Sequence, residues 1–76
     1  NNDIQYFYDS FEKNLKLNSN KILKKIEVFN LLGQNLISSE INSFNASFNL
    51  SNLKPSIYLV KVIGESGIKT IKLQVN

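Results

Sequence analysis

The sequence predicts an all-β domain of about seven short strands, a sandwich or a barrel. Three observations carry that reading. Apolar residues recur with a period of two, turn-forming residues divide the chain at short intervals, and no apolar stripe at helical spacing runs for a useful length. Seventy-six residues, 42% of them hydrophobic, suffice for one domain with one thin core. Stability at this size is typically ~3–5 kcal/mol, and the absence of cysteine means that no disulfide adds to it.

Each element follows from local pattern. Ile4 to Tyr8 is rich in β-formers and opens the series. Leu15 and Leu17 point one way from a short strand ending near Asn18, and Asn18-Ser19-Asn20 reads as the turn after it. A helix over 10–16 has only Phe11 and Leu15 at i, i+4 to support it. Within 22–30, Ile22, Ile26 and Val28 share one face, with Lys25 and Glu27 on the other. Asn30 to Gln34 contains Gly33, whose freedom at positive φ suits a hairpin with a bulge. The mixed segment Gln34 to Glu40 reads as an edge strand. Phe44, Ala46, Phe48 and Leu50 then alternate with Asn45, Ser47 and Asn49, a half-buried strand.

Asn52 to Ser56 holds Pro55, the only proline, which cannot sit inside a central strand. In 57–63, Tyr58, Val60 and Val62 form one apolar face, and Ile57, Leu59 and Ile63 form a second. Two apolar faces predict a central strand covered on both sides. Gly64-Glu65-Ser66-Gly67 is read as a four-residue hairpin loop. In the closing strand Ile71, Leu73 and Val75 alternate with Lys72 and Gln74.

The chemistry-bearing residues are few. There is no histidine and no cysteine, so the commonest general base and the commonest metal ligands are missing. The six carboxylates, Asp3, Asp9, Glu12, Glu27, Glu40 and Glu65, are not spaced for shared proton chemistry or a calcium loop. No Gly-x-Ser-x-Gly elbow, Ser-x-x-Lys or phosphate-binding loop occurs. The expectation is a non-enzyme with no catalytic residue, no cofactor and no metal. The net charge of +3 comes from nine lysines and no arginine, and only Lys24 and Lys25 are adjacent. Lysine scattered over strands keeps a β-surface soluble; nucleic-acid readers cluster their charge and favour arginine. No nucleic-acid partner is therefore expected. No apolar run approaches the ~20 residues of a membrane-spanning helix. The chain opens Asn1-Asn2-Asp3, without a signal-peptide pattern, and is expected to be an excised terminal piece of a longer protein.

The order of segments is more specific than any single motif. Ile26-Glu27-Val28-Phe29-Asn30-Leu31-Leu32-Gly33-Gln34 is followed by a polar-alternating strand and by Leu50-Ser51-Asn52-Leu53. Then come Ile57-Tyr58-Leu59-Val60-Lys61-Val62, a glycine hairpin and Lys69-Thr70-Ile71-Lys72-Leu73-Gln74-Val75. This arrangement resembles the type A C-terminal sorting domain of type IX secretion, also called the Por secretion system, over nearly the whole chain. The resemblance implies an Ig-like seven-stranded antiparallel β-sandwich spanning residues 1–76 at the end of a cargo protein. It also implies recognition by the type IX translocon, cleavage by a sortase-like peptidase, and attachment or release of the cargo at the surface of a Gram-negative bacterium by way of the periplasm and outer membrane. Gly33 matches the family's turn glycine, Tyr58 its strand tyrosine and Lys72 a lysine of the last strand. Where the family usually has Pro-Asn-Pro, this chain reads Tyr8-Asp9-Ser10-Phe11, and Ser56 stands for the glycine two before the tyrosine.

Two functional expectations follow. The first is a sorting signal whose translocon contacts lie on the last strand at Lys69, Ile71, Lys72, Leu73 and Val75. The alternative is an Ig-like adhesion or carbohydrate-binding module using Tyr6, Phe7 or Tyr8, because three consecutive aromatics on a strand force at least one away from the core. Exposed strand edges also make self-association possible.

Overall fold

The computed structural model describes residues 4–76, and every described element of regular structure is a strand. The five are β1 (Ile4–Asp9), β2 (Asn14–Phe29), β3 (Asn35–Asn49), β4 (Ser56–Gly64) and β5 (Gly67–Val75). All pair antiparallel in one sheet of order β1-β2-β4-β5, with β3 on the other side of β2.

Seven strands become five because two expected breaks do not occur. Asn18-Ser19-Asn20 lies inside β2, and the stretch between Glu40 and Phe44 lies inside β3. Polar residues there feed a large irregularity rather than a turn. The β2–β3 register passes from Asn18↔Asn45 to Leu23↔Ser43, setting residues 19–22 of β2 against Phe44 alone. Such a bulge bends a strand sharply without ending the ladder. Buried Ser19 turns its hydroxyl to accept the Lys21 N–H at 3.1 Å, and Asn42 takes a positive φ of 55°. Asparagine tolerates that conformation better than most residues.

The bend divides the sheet into two leaflets. One contains β1, the first half of β2 and the second half of β3. The other contains the first half of β3, the second half of β2, β4 and β5. The sheet curls so that its apolar face closes on itself. Ile4, Leu15 and Leu17 from the first leaflet share one buried cluster with Leu23, Ile26, Val28, Tyr58, Val60, Val62, Ile71, Leu73 and Val75 from the second. Leu50 completes the cluster from the loop after β3. Each large aliphatic side chain so buried contributes roughly 1.5–3 kcal/mol, offset by the entropy of ordering it.

Four other expectations need correction. Phe44 is 52% exposed, because it sits at the bend while Ala46, Phe48 and Leu50 keep the inward phase. The same irregularity puts Leu23 rather than Ile22 into the core. The second face of β4, with Ile57, Leu59 and Ile63, is only half-buried; β4 is central in its leaflet, yet no layer of described residues covers its outer side. The 64–67 hairpin is also tighter than expected, with Gly64 already paired to Gly67.

Other elements form as expected. Gly33 adopts φ +87°, and β3 lies at an edge over its whole length rather than over 34–40 alone. Pro55 falls in the loop before β4.

Candidate recognition surface on the last strand

The last strand is held by β4, by the core and by contacts at both ends. β5 pairs with β4 from Ser56↔Val75 to Gly64↔Gly67 and, among the described residues, has no strand on its other side. Its inward residues Ile71, Leu73 and Val75 are 3%, 5% and 1% exposed and belong to the core. At its far end the Lys13 ammonium donates to the main-chain oxygen of Asn76, bridging from the β1–β2 turn. At its near end the Lys69 ammonium stands 5.9 Å from the centroid of the Tyr6 ring on β1. This is a cation–π contact at the outer limit of useful range.

The five sequence-derived recognition residues therefore separate. Lys72 points outward and is exposed, and Lys69 is partly covered at the lip between β1 and β5. Ile71, Leu73 and Val75 face the interior, so in the folded domain they shape the strand and offer no side-chain surface. Sequence alternation contained this division, but it could not say which face would be closed. Beside these side chains runs the main chain along the edge of β5 that no described strand pairs, and edge position is a property of the sheet.

The two family-motif residues have clear structural tasks. Gly33 closes the β2–β3 turn, whose centre is Asn30. The Asn30 side-chain oxygen accepts the N–H groups of Leu32 and Gln34, both at 3.0 Å, and its amide donates to Gln34 Oε1 at 2.7 Å. Gly33 N–H donates to the Asn30 carbonyl at 3.0 Å. Tyr58 buries its ring in the core and donates its hydroxyl to the Lys54 carbonyl at 2.6 Å, tying down the loop before β4.

The aromatic triplet divides as a strand requires. Phe7 points outward at 62% exposure, Tyr6 lies at the lip at 46%, and Tyr8 packs against the core. Gln5, Tyr6, Phe7, Lys16, Leu17 and Asn18 line a shallow groove of about 190 Å³. The Tyr8 hydroxyl is buried without a hydrogen-bond partner, and burial first, then the Asp9 carboxylate, push its pKa above the usual tyrosine value. No cluster of acidic side chains able to hold a metal ion occurs among the described residues. No described helix is long and apolar enough to cross a membrane.

Comparison with known protein families matches residues 10–76 to the secretion system C-terminal sorting domain. No curated protein matches the chain. A match over so much of the chain agrees with the order of strands and turns, and it gives no support to the adhesion alternative. The chain belongs to the secretion system C-terminal sorting domains, targeting rather than catalytic modules that act as type IX secretion signals.

Proposed function

We propose that the type IX translocon recognises this domain through β5, by adding a strand to its free edge and reading Lys69 and Lys72 beside it. The open edge of β5 carries this proposal, since an unpaired row of main-chain donors and acceptors is a template for strand addition. Ile71, Leu73 and Val75 act indirectly. Their burial fixes which side of β5 faces the partner and keeps the strand extended.

The family implies export across the outer membrane, recognition by the type IX machinery and an upstream cargo. We extend this to residues 1–76 as a single C-terminal sorting domain of a longer secreted protein. Its route runs through the periplasm of a Gram-negative bacterium, and a sortase-like peptidase frees or attaches the cargo at the surface. The Ig-like description of the fold belongs to the same proposal. It is supported by counting the bent strands β2 and β3 as two segments each, which turns five strands into seven. Self-association through a free edge is a further part of it, and β3 is the edge that fits best. Among the described residues no strand pairs its outer side, and it carries one charge, Glu40, in 15 residues.

The test is to fuse residues 1–76 behind a reporter in a type IX-competent host. The reporter is expected at the surface or in the medium. Retention in the periplasm with the intact segment, or normal export after deletion of 72–76, would sink the proposal.

A further inference from the structure

The β1–β2 turn holds a lysine where the backbone disfavours one. Lys13 takes a φ of 60°, in the left-handed region that glycine and asparagine adopt far more readily. Its surroundings keep it there. Asp9 Oδ1 accepts the N–H groups of Phe11 at 2.9 Å and Glu12 at 3.2 Å, which shapes the turn just before it. The Leu50 N–H donates to the Lys13 carbonyl at 2.7 Å. On either side of Lys13, the Asn49 side-chain amide donates to the Glu12 carbonyl at 3.3 Å and to Asn14 Oδ1 at 2.9 Å. Unfavourable backbone that persists under such constraint clusters at functional positions.

Those bonds use the main chain of Lys13 or atoms of its neighbours, so asparagine at this position would keep them. What the lysine adds is its ammonium, which donates to the main-chain oxygen of Asn76, 63 residues along the chain. Asn76 directly follows β5. The β4–β5 ladder ends at Ser56↔Val75, so the residue next in line opposite Asn76 is Pro55. Proline has no N–H and cannot extend the ladder with a donor. The Lys13 ammonium brings a donor to that place from the first hairpin. The end of β5 has need of it, because strand ends fray first and β5 is paired on one side only among the described residues.

We infer that Lys13 is a positioning residue for the sorting signal, its ammonium replacing the donor that Pro55 lacks and fixing the end of β5 for its partner. The inference rests on the proposal that the translocon reads β5, and it adds a residue from the opposite end of the chain. A strand end that is already ordered loses less freedom when another strand pairs with its edge.

Lys13→Asn tests this, because asparagine tolerates the positive φ and lacks the ammonium, while Lys13→Arg keeps a cationic donor. In the 76-residue chain, amide exchange at residues 74–76 should quicken about three- to tenfold in Lys13→Asn, as for one lost hydrogen bond. Its melting temperature should not fall. Export of the reporter fusion should drop by a similar factor and return in Lys13→Arg. Unchanged exchange at residues 74–76, or normal export of Lys13→Asn, overturns the inference. So does a Lys13→Arg fusion exported as poorly as Lys13→Asn. A clearly lower melting temperature in Lys13→Asn assigns the lysine to stability alone and also overturns it. Deletion of 72–76 keeps the two readings apart. If the deletion blocks export while Lys13→Asn is exported normally, only the Lys13 inference falls. If the deletion leaves export normal, the β5 proposal fails and takes this inference with it.

Discussion

Two tyrosines show how strongly environment decides what one atom does. Tyr58 donates its hydroxyl to the Lys54 carbonyl, whereas the Tyr8 hydroxyl is buried without a partner. The same substitution should therefore have opposite signs. Tyr58→Phe is expected to destabilise by about 1 kcal/mol through the lost hydrogen bond. Tyr8→Phe should be neutral or stabilising by up to ~1 kcal/mol, since it removes an unsatisfied polar group. Urea denaturation of both variants measures this. Tyr8 also gives a pH dependence. Its folded pKa is raised, by burial and then by Asp9, so its contribution is fully present below the unfolded value of ~10. That contribution is lost as pH rises through the higher folded value, and Tyr8→Phe should blunt the alkaline loss of stability. Gly33 is a simpler case. Its φ of +87° with open space around it means that Gly33→Ala meets backbone strain and no clash, at a cost of about 1–2 kcal/mol.

At the scale of the element, the core role of β5 and its proposed recognition role fall on opposite faces and can be tested separately. Ile71→Ala should cost about 2–5 kcal/mol and lower export by unfolding the domain, with melting temperature and export falling together. Lys72→Gln alters an exposed residue and should leave stability within ~0.5 kcal/mol, so any change in export then reports recognition. Export and melting temperature measured on both variants separate the roles. The edge strand β3 makes a different demand. A long free edge with one charge invites pairing, and Ser38→Lys with Ser47→Lys on its exposed positions should shift any self-association towards monomer in sedimentation experiments.

At the scale of the whole molecule, stability depends on the curl. Leu17 and Val62 sit on different leaflets but in one cluster, so truncating either to alanine should loosen both. Thermal unfolding followed separately by amide exchange in β1 and in β5 should show the two melting as one unit. How much of this was legible in the sequence depended on how local the cause was. The shared faces of Leu15 with Leu17, of Tyr58 with Val60 and Val62, and of Ile71 with Leu73 and Val75 were readable, because alternation is set by the pleat. Ile22 and Phe44 were not, because their side depends on a bulge that only the pairing of β2 with β3 creates. The proposed recognition residues were readable as a strand, but their division into reachable lysines and enclosed aliphatics depended on which face the fold closes.

The absence of histidine and cysteine, the period of two and the ordered succession of strands and turns are properties of the sequence alone. They determined an all-β domain and the order of segments that marks its family. Tertiary structure decided that seven expected strands are five, which edges stay open and which turn reaches the end of β5. The physical reason is that alternation and turn chemistry act over a few residues. Edges, bends and shared ends arise from pairing between residues such as Asn18 and Asn45, far apart in the chain.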